Sequence, residues 1–367
     1  MPPIPPQSRL NAALILWAPL ILLALFVIGH VIRWGGVVPQ APLYNQGQFL
    51  FDYRDWGFVK RGLIASLFPQ TPESVAGFTA WFSAAFCAVI LALSALLLRL
   101  SRQPEAMLAV MASPFFLYTY GYDLGKLDVV AVAWFLGWLC LRAVEAQRTA
   151  WIAYSLSPLL LFVHEGFLFM VLPFFALVEN ARDFAWRRNL PFLALAAGCF
   201  AGIWLFGHAE ERAAQLHGFF ESHFGADYLA HLVLTLGFTE NLGLAWDKHL
   251  NPPNGHSALT VAVFLGLALL YPVLFRIEQF WIYGLAVLAI GAMFVLGSDW
   301  ARWTALFASL GGIGLAAAAP LRPLAARSIG FLLLPLMLAS LAAMPAGMVF
   351  IFQELESLLR NGHLTQW

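Results

Sequence analysis

The chain has 367 residues, 61% of them hydrophobic and 11% charged, with a mean hydropathy of +0.77. That composition excludes a soluble globular domain and any nucleic-acid-binding role. Twenty Lys and Arg balance twenty Asp and Glu, but the zero formal net charge hides an asymmetry that appears once the segments are placed in order.

Apolar runs near residues 11–33, 77–98, 190–207, 257–275, 280–297, 304–319 and 328–350 are each about as long as a bilayer-spanning helix. The first follows a weakly charged, Pro-rich start, Met1 to Gln7, with no small-residue cleavage site after it, and reads as a retained signal anchor. Five short basic loops, marked by Arg99 and Arg102, Arg142 and Arg148, Arg182 to Arg188, Arg276, and Arg322 and Arg327, fall to the cytoplasm by the positive-inside rule. The alternate loops then face outward. They hold 15 of the 20 acids and 9 of the 20 basic residues, so the outer face is acid-rich. Cys87, Cys140 and Cys199 fall inside spans, where a thiol is usually a small buried apolar group, and indicate neither disulfides nor a zinc site. No soluble domain interrupts the pattern, and residues 1–367 read as one transmembrane domain with long outer loops at 34–76 and 208–256.

In the first outer loop Asp52 and Asp55 are three positions apart, so a helical turn puts both on one face. They read either as a general base with a supporting acid or as solvated partners of Arg54, Lys60 and Arg61. Lys60 and Arg61 are either a lipid-phosphate site or snorkelling anchors. The stretch from Gly57 to Phe68 predicts an amphipathic interfacial helix.

Residues 106–143 carry a polar turn, Tyr122 to Asp128, between apolar arms too short to span alone, and residues 151–178 centre in the same way on His164-Glu165-Gly166. A hairpin through the second segment keeps Arg182, Arg187 and Arg188 inside, whereas one long helix would expose them outside. Two hairpins with polar tips at membrane depth imply a water-filled cavity open to the outside. Asp123, Lys126 and Asp128 on the first tip, and His164 and Glu165 on the second, are candidates for acceptor binding or support; the alternative is charge-balanced tips. His164-Glu165 is not the zinc-protease motif, because Leu168 stands where its second histidine would be. Further on, Asp299 and Arg302 lie between tryptophans at an outer helix boundary and can pair at i,i+3, leaving Arg302 either an anchor or a phosphate ligand. The expected fold is an all-α polytopic bundle of about eleven spans, N-terminus inside and C-terminus outside.

The arrangement resembles the GT-C superfamily of integral-membrane glycosyltransferases. The resemblance rests on an acid in the first outer loop (Asp55 or Asp52), an interfacial helix at 57–68, and short helices around an outward cavity. It implies an inverting enzyme of a bacterial-type inner membrane, active on the periplasmic face, taking a sugar from a polyprenyl-phosphate donor to a glycan, lipid or protein acceptor. Asp55 and Asp52 would then be catalytic, with Asp55 the better fixed at the cavity mouth, and Lys60, Arg61 and Arg302 would hold the donor phosphate. A divalent cation, Mg or Mn, fits the outer acids without being required by them. The polysaccharide polymerase and O-antigen ligase group, which uses Arg and His of a large outer loop, is the neighbouring alternative through Arg212, His249 and His256. A transporter is the alternative outside enzymes, because intramembrane charges also mark ion pathways.

Overall fold

A computed structural model describes residues 24, 43–56, 58, 61–117, 125–181, 183–207, 213–224, 238–249, 255–296, 299–323 and 330–343. The expected span at 11–33 and the end of the one at 328–350 lie outside these, apart from single positions or the first turns. Among the described residues the regular structure is helical, with one isolated antiparallel bridge between Phe275 and Leu321.

Three helices, Val75–Leu100, Trp186–Phe206 and Ser257–Leu274, are long and apolar enough to cross a membrane, and two shorter apolar helices cover Phe167–Glu179 and Phe280–Leu296. This is a helical membrane protein. Among the described residues fewer uninterrupted spans are present than the hydropathy predicts, and the interruptions have physical causes. Helix Gln147–Leu156 meets Pro158 and continues as a 3-10 helix, Ser157–Phe162. The 3-10 form rises about 2 Å per residue, so this arm reaches roughly 27 Å despite its shortness. The apolar run at 304–319 is split into Trp300–Leu306, a π-helical turn at Phe307–Gly311, and Gly312–Ala318. There the Tyr271 hydroxyl donates to the Ala308 carbonyl, which serves a ladder disturbed by the π-turn.

This last segment is the centre of the bundle, buried along nearly its whole length. Glycine makes the closeness possible: a Cβ at Gly312 would stand 2.9 Å from Val110, and one at Gly314 would stand 2.6 Å from Val178. Small residues at such contacts let helices pack by van der Waals attraction where lipid removes the hydrophobic drive.

The basic loops gather at one end. Arg102, Arg142 and Arg188 line a common cavity with Ala319, Pro320 and Leu321. The Arg276 amide donates to the Pro320 carbonyl, and the Arg322 amide donates to the Leu274 carbonyl. The described arms of both hairpins are present, with 118–124 of the first tip lying outside the described residues. The Glu105 and Arg142 ends of the first share that cavity, while Trp151 at the start of the second donates its indole N–H to the Arg188 carbonyl just beyond its end. The hairpin tips therefore lie at the far end from the basic loops.

Exposed aromatic rings mark two levels. Phe184, Trp186 and Trp281 are exposed at the basic end, and Trp81, Trp204 and Phe206 toward the other. Trp186 and Trp204 are 18 residues apart on one helix, about 27 Å, close to a bilayer's hydrocarbon thickness of about 30 Å. The first tip docks near the upper level, where the Gly125 amide donates to the Ser83 hydroxyl at 2.7 Å, two residues inward of Trp81. Gly125 has φ 89°, which a side chain would strain.

Candidate functional site

The first hairpin tip delivers Asp128 as the opening residue of helix Asp128–Ala143, where the helix dipole favours an anion. It is 1% exposed. Both its oxygens accept from Arg302, from Nε at 2.5 Å and from Nη2 at 2.6 Å. Arg302 in turn lies 3.7 Å from Asp299, whose carboxylate is 3.6 Å from the Lys126 ammonium. Lys126, Asp299, Arg302 and Asp128 thus form a row of alternating charge. Charges withdrawn from water persist only when paired in this way. Crowding around the Asp299 carboxyl would raise its pKa, but Lys126, Arg302 and Lys248 together hold it below the usual carboxylate range.

Helix Phe238–His249, from the long second outer loop, reaches the same place. His249 is buried, stacks on Trp300 at 4.1 Å, and shares a 2.6 Å hydrogen bond with the Ser257 hydroxyl through Nδ1. Trp300 also meets Phe294 edge-on. An aromatic wall therefore flanks the charged row.

The first outer loop builds a second cluster. Asp52 precedes a single helical turn, Tyr53–Trp56, and its Oδ1 accepts the Asp55 amide at 2.7 Å in a cap-like contact. Asp52 is 8% exposed and Asp55 is open to solvent. The expectation that Asp55 is the better-fixed carboxylate is thus corrected: the capping bond fixes Asp52. Tyr53 donates its amide to the Ser66 hydroxyl at 2.7 Å, and Ser66 donates to the Gly62 carbonyl at 2.6 Å. The Tyr53 ring lies so close to Gly62 that a Cβ there would approach it to 2.4 Å. Burial pushes the Tyr53 phenol up to about 12, and its hydroxyl is buried without a hydrogen-bond partner.

Within the 57–68 stretch expected to form an interfacial helix, Gly62–Leu67 is helical, while Gly57, Val59 and Lys60 lie outside the described residues. Arg61, just before it, holds a left-handed φ of 66° and clamps Glu165 with Nε at 2.9 Å and Nη2 at 2.8 Å. His164 Nδ1 accepts the Gly166 amide at 3.0 Å, so that nitrogen carries no proton, although Glu165 is 3.6 Å away. The His164-Glu165 turn therefore serves as the tip to which the first outer loop is tied. Lys60 and Asp123 lie outside the described residues, as does Arg212, and the His256 side chain is likewise not described.

The structure brings together Asp128, Lys126, Asp299 and Arg302 in one group and Arg61 with Glu165 and His164 in another, both at the end opposite the basic loops. Lys248 and Tyr53 were not foreseen as site residues. Lys248 and His249 carried a local signal, since they close a helix just before the Asn251-Pro252-Pro253-Asn254 break. Among the described residues no group of three or more His, Cys, Asp and Glu is arranged to hold a metal ion. Asp128 and Asp299 are engaged by a guanidinium and an ammonium, a donor set that does not fit a divalent cation. No known protein family, curated protein or solved structure matches the chain.

Proposed function

We propose that the protein is a membrane glycosyltransferase that moves a sugar from a polyprenyl-phosphate donor to a glycan, lipid or protein acceptor. It would lie in a bacterial-type inner membrane with about eleven spans, its basic loops cytoplasmic and its hairpin tips periplasmic. The observation that carries this reading is the row of Lys126, Asp299, Arg302 and Asp128 at the level of the Trp81 ring. With Lys248 it holds three cations against two carboxylates, and an excess positive charge at headgroup depth suits a lipid phosphate.

In this mechanism Asp52, fixed by its capping bond, accepts the proton of the acceptor hydroxyl, and Asp55 supports the acceptor. The hydroxyl oxygen attacks the anomeric carbon as the bond from that carbon to the phosphate oxygen breaks. Polyprenyl phosphate leaves with the electron pair, and Lys126, Lys60 and Arg302 stabilise the charge that grows on it. A single displacement inverts the anomeric centre. Arg61 acts by holding Glu165, and so the second tip, in register with the loop that carries Asp52.

The test is release of polyprenyl phosphate from a panel of polyprenyl-phosphate hexoses by the purified protein in nanodiscs, supplied with envelope extract as acceptor. Release lost in the Asp52→Asn variant supports the reading; no release by the wild-type protein, together with no binding of polyprenyl phosphate, overturns it. The stacking of His249 on Trp300 beside Asp299 favours a second reading, a polymerase- or ligase-like transfer from a lipid-pyrophosphate glycan. Loss of transfer in His249→Ala but not in Asp52→Asn or Asp55→Asn would select it.

A further inference from the structure

A cavity of about 850 Å³ opens at the basic end, away from the proposed site. Leu97, Met107, Leu139, Val178 and Leu332, from five different helical segments, supply an apolar wall. Arg102, Arg142 and Arg188 face Glu105, Glu145, Glu179 and Asp183 in the polar remainder, with Ser101 and Gln103 beside them, and Asp183 lies 3.4 Å from Arg188. Glu179 is shared between Arg142 and Arg188, the latter at 3.2 Å. Among the described residues Arg102, Glu105 and Glu145 form no ion pair with another side chain.

The cavity thus joins guanidinium groups and unpaired carboxylates over an apolar floor. A simple anion is poorly matched, since the carboxylates would repel it; a simple cation would meet the arginines. A nucleotide is less well matched, because the one aromatic ring nearby, Trp151, lines an adjoining pocket and not the apolar wall of this cavity. A molecule carrying phosphate, ammonium and hydrocarbon fits all three parts. The cavity's level agrees, since Phe184, Trp186 and Trp281 are exposed at the same end, where rings settle among headgroups.

We propose that this cavity binds one zwitterionic aminophospholipid of the phosphatidylethanolamine type. Its phosphate lies against Arg102, Arg142 and Arg188, its primary ammonium donates to Glu105 and Glu145, and its acyl chains start along the Leu97 and Leu139 wall. Each guanidinium has five donors, so Arg142 can take a phosphate oxygen while keeping Glu179, and Arg188, which also holds Asp183, can add its remaining donors.

Native mass spectrometry of the full-length protein in detergent, with equal amounts of phosphatidylethanolamine, phosphatidylcholine and phosphatidylglycerol, tests this. The expected result is retention of one phosphatidylethanolamine about tenfold over the other two, as charge-assisted hydrogen bonds from a primary ammonium would give. The double variant Glu105→Gln, Glu145→Gln should bring phosphatidylethanolamine down to the phosphatidylcholine level, and Arg102→Ala should weaken all three. Melting curves of the variants, followed by tryptophan fluorescence, separate lost lipid from lost fold. Equal retention of the three lipids would overturn the ammonium recognition, and retention of none by a folded protein would overturn the site.

Discussion

Arg302 and Asp128 stand 174 positions apart in the chain, and the guanidinium meets both oxygens of the carboxylate. The pair joins the first hairpin to the central helix. At the other ends of the same two segments, Arg142 and Ala319 line the basic-end cavity. The helix from Asp128 to Arg142 covers 14 steps, about 21 Å, so the paired site and the cavity lie at opposite ends of this helix.

The first prediction concerns this pair. Arg302→Ala leaves a carboxylate that is 1% exposed without its counter-charge, and should cost about 3–5 kcal/mol of stability. Arg302→Lys keeps the charge but loses the two-pronged contact, and should fall between the two. Thermal melting in detergent reads both. Because Arg302→Ala perturbs folding, donor affinity is better measured with Arg302→Lys and Lys126→Ala. An unchanged melting temperature for Arg302→Ala would show that the pair does not hold the tip in place.

Tyr53 gives a prediction of opposite sign. Its hydroxyl is buried without a partner, so Tyr53→Phe forfeits no internal hydrogen bond and should leave stability unchanged or raise it by about 1 kcal/mol. The phenol ionises near 12 in the folded protein against 10.0 ordinarily. The folded state therefore holds its proton more tightly, and that contribution is complete below 10.0 and is lost as pH rises through about 12. On alkaline titration, wild-type melting should decline more steeply than that of Tyr53→Phe. Parallel curves would count against it.

Asp299 behaves in the reverse manner. Its pKa is held below the ordinary 3.8, so its contribution is present above that value and is lost as pH falls through the folded pKa. Asp299→Asn should destabilise at neutral pH, and the gap to wild type should narrow on acidification below 3.8. A gap that stays constant with pH would mean that Asp299 acts by shape and not by charge.

The all-helical class was legible in apolar runs of spanning length, and the hairpin at His164-Glu165-Gly166 because the placement of Arg182, Arg187 and Arg188 left only one economical path for the chain. The i,i+3 relation of Asp299 and Arg302 was legible for the same local reason. The partnerships of Arg302 with Asp128 and of Arg61 with Glu165 were not, since they join residues 174 and 104 positions apart and no periodicity encodes such contacts. Span lengths were misjudged wherever the backbone left the α-helix. Neither the 3-10 arm at Ser157–Phe162 nor the π-turn at Phe307–Gly311 alters an apolar count. The relative fixation of Asp52 and Asp55 was missed because the capping bond depends on where the turn starts, one residue after Asp52.

The last prediction separates those two carboxylates. Asn caps a helix about as well as Asp, so Asp52→Asn should preserve the turn at Tyr53–Trp56 and the melting temperature while removing the proton acceptor. If Asp52 is the base, turnover should fall roughly 100-fold or more with donor binding intact. Asp55→Asn, at an exposed and less constrained position, should lower turnover by no more than about tenfold, chiefly through the acceptor's apparent Michaelis constant. Asp52→Ala should lose both turnover and stability, by about 1 kcal/mol for the missing cap. A large loss confined to Asp55→Asn would move the base to the solvent-facing side of the turn. Full activity in both Asn variants would remove the first outer loop from the chemistry and leave His249 beside Trp300 as the group to test next.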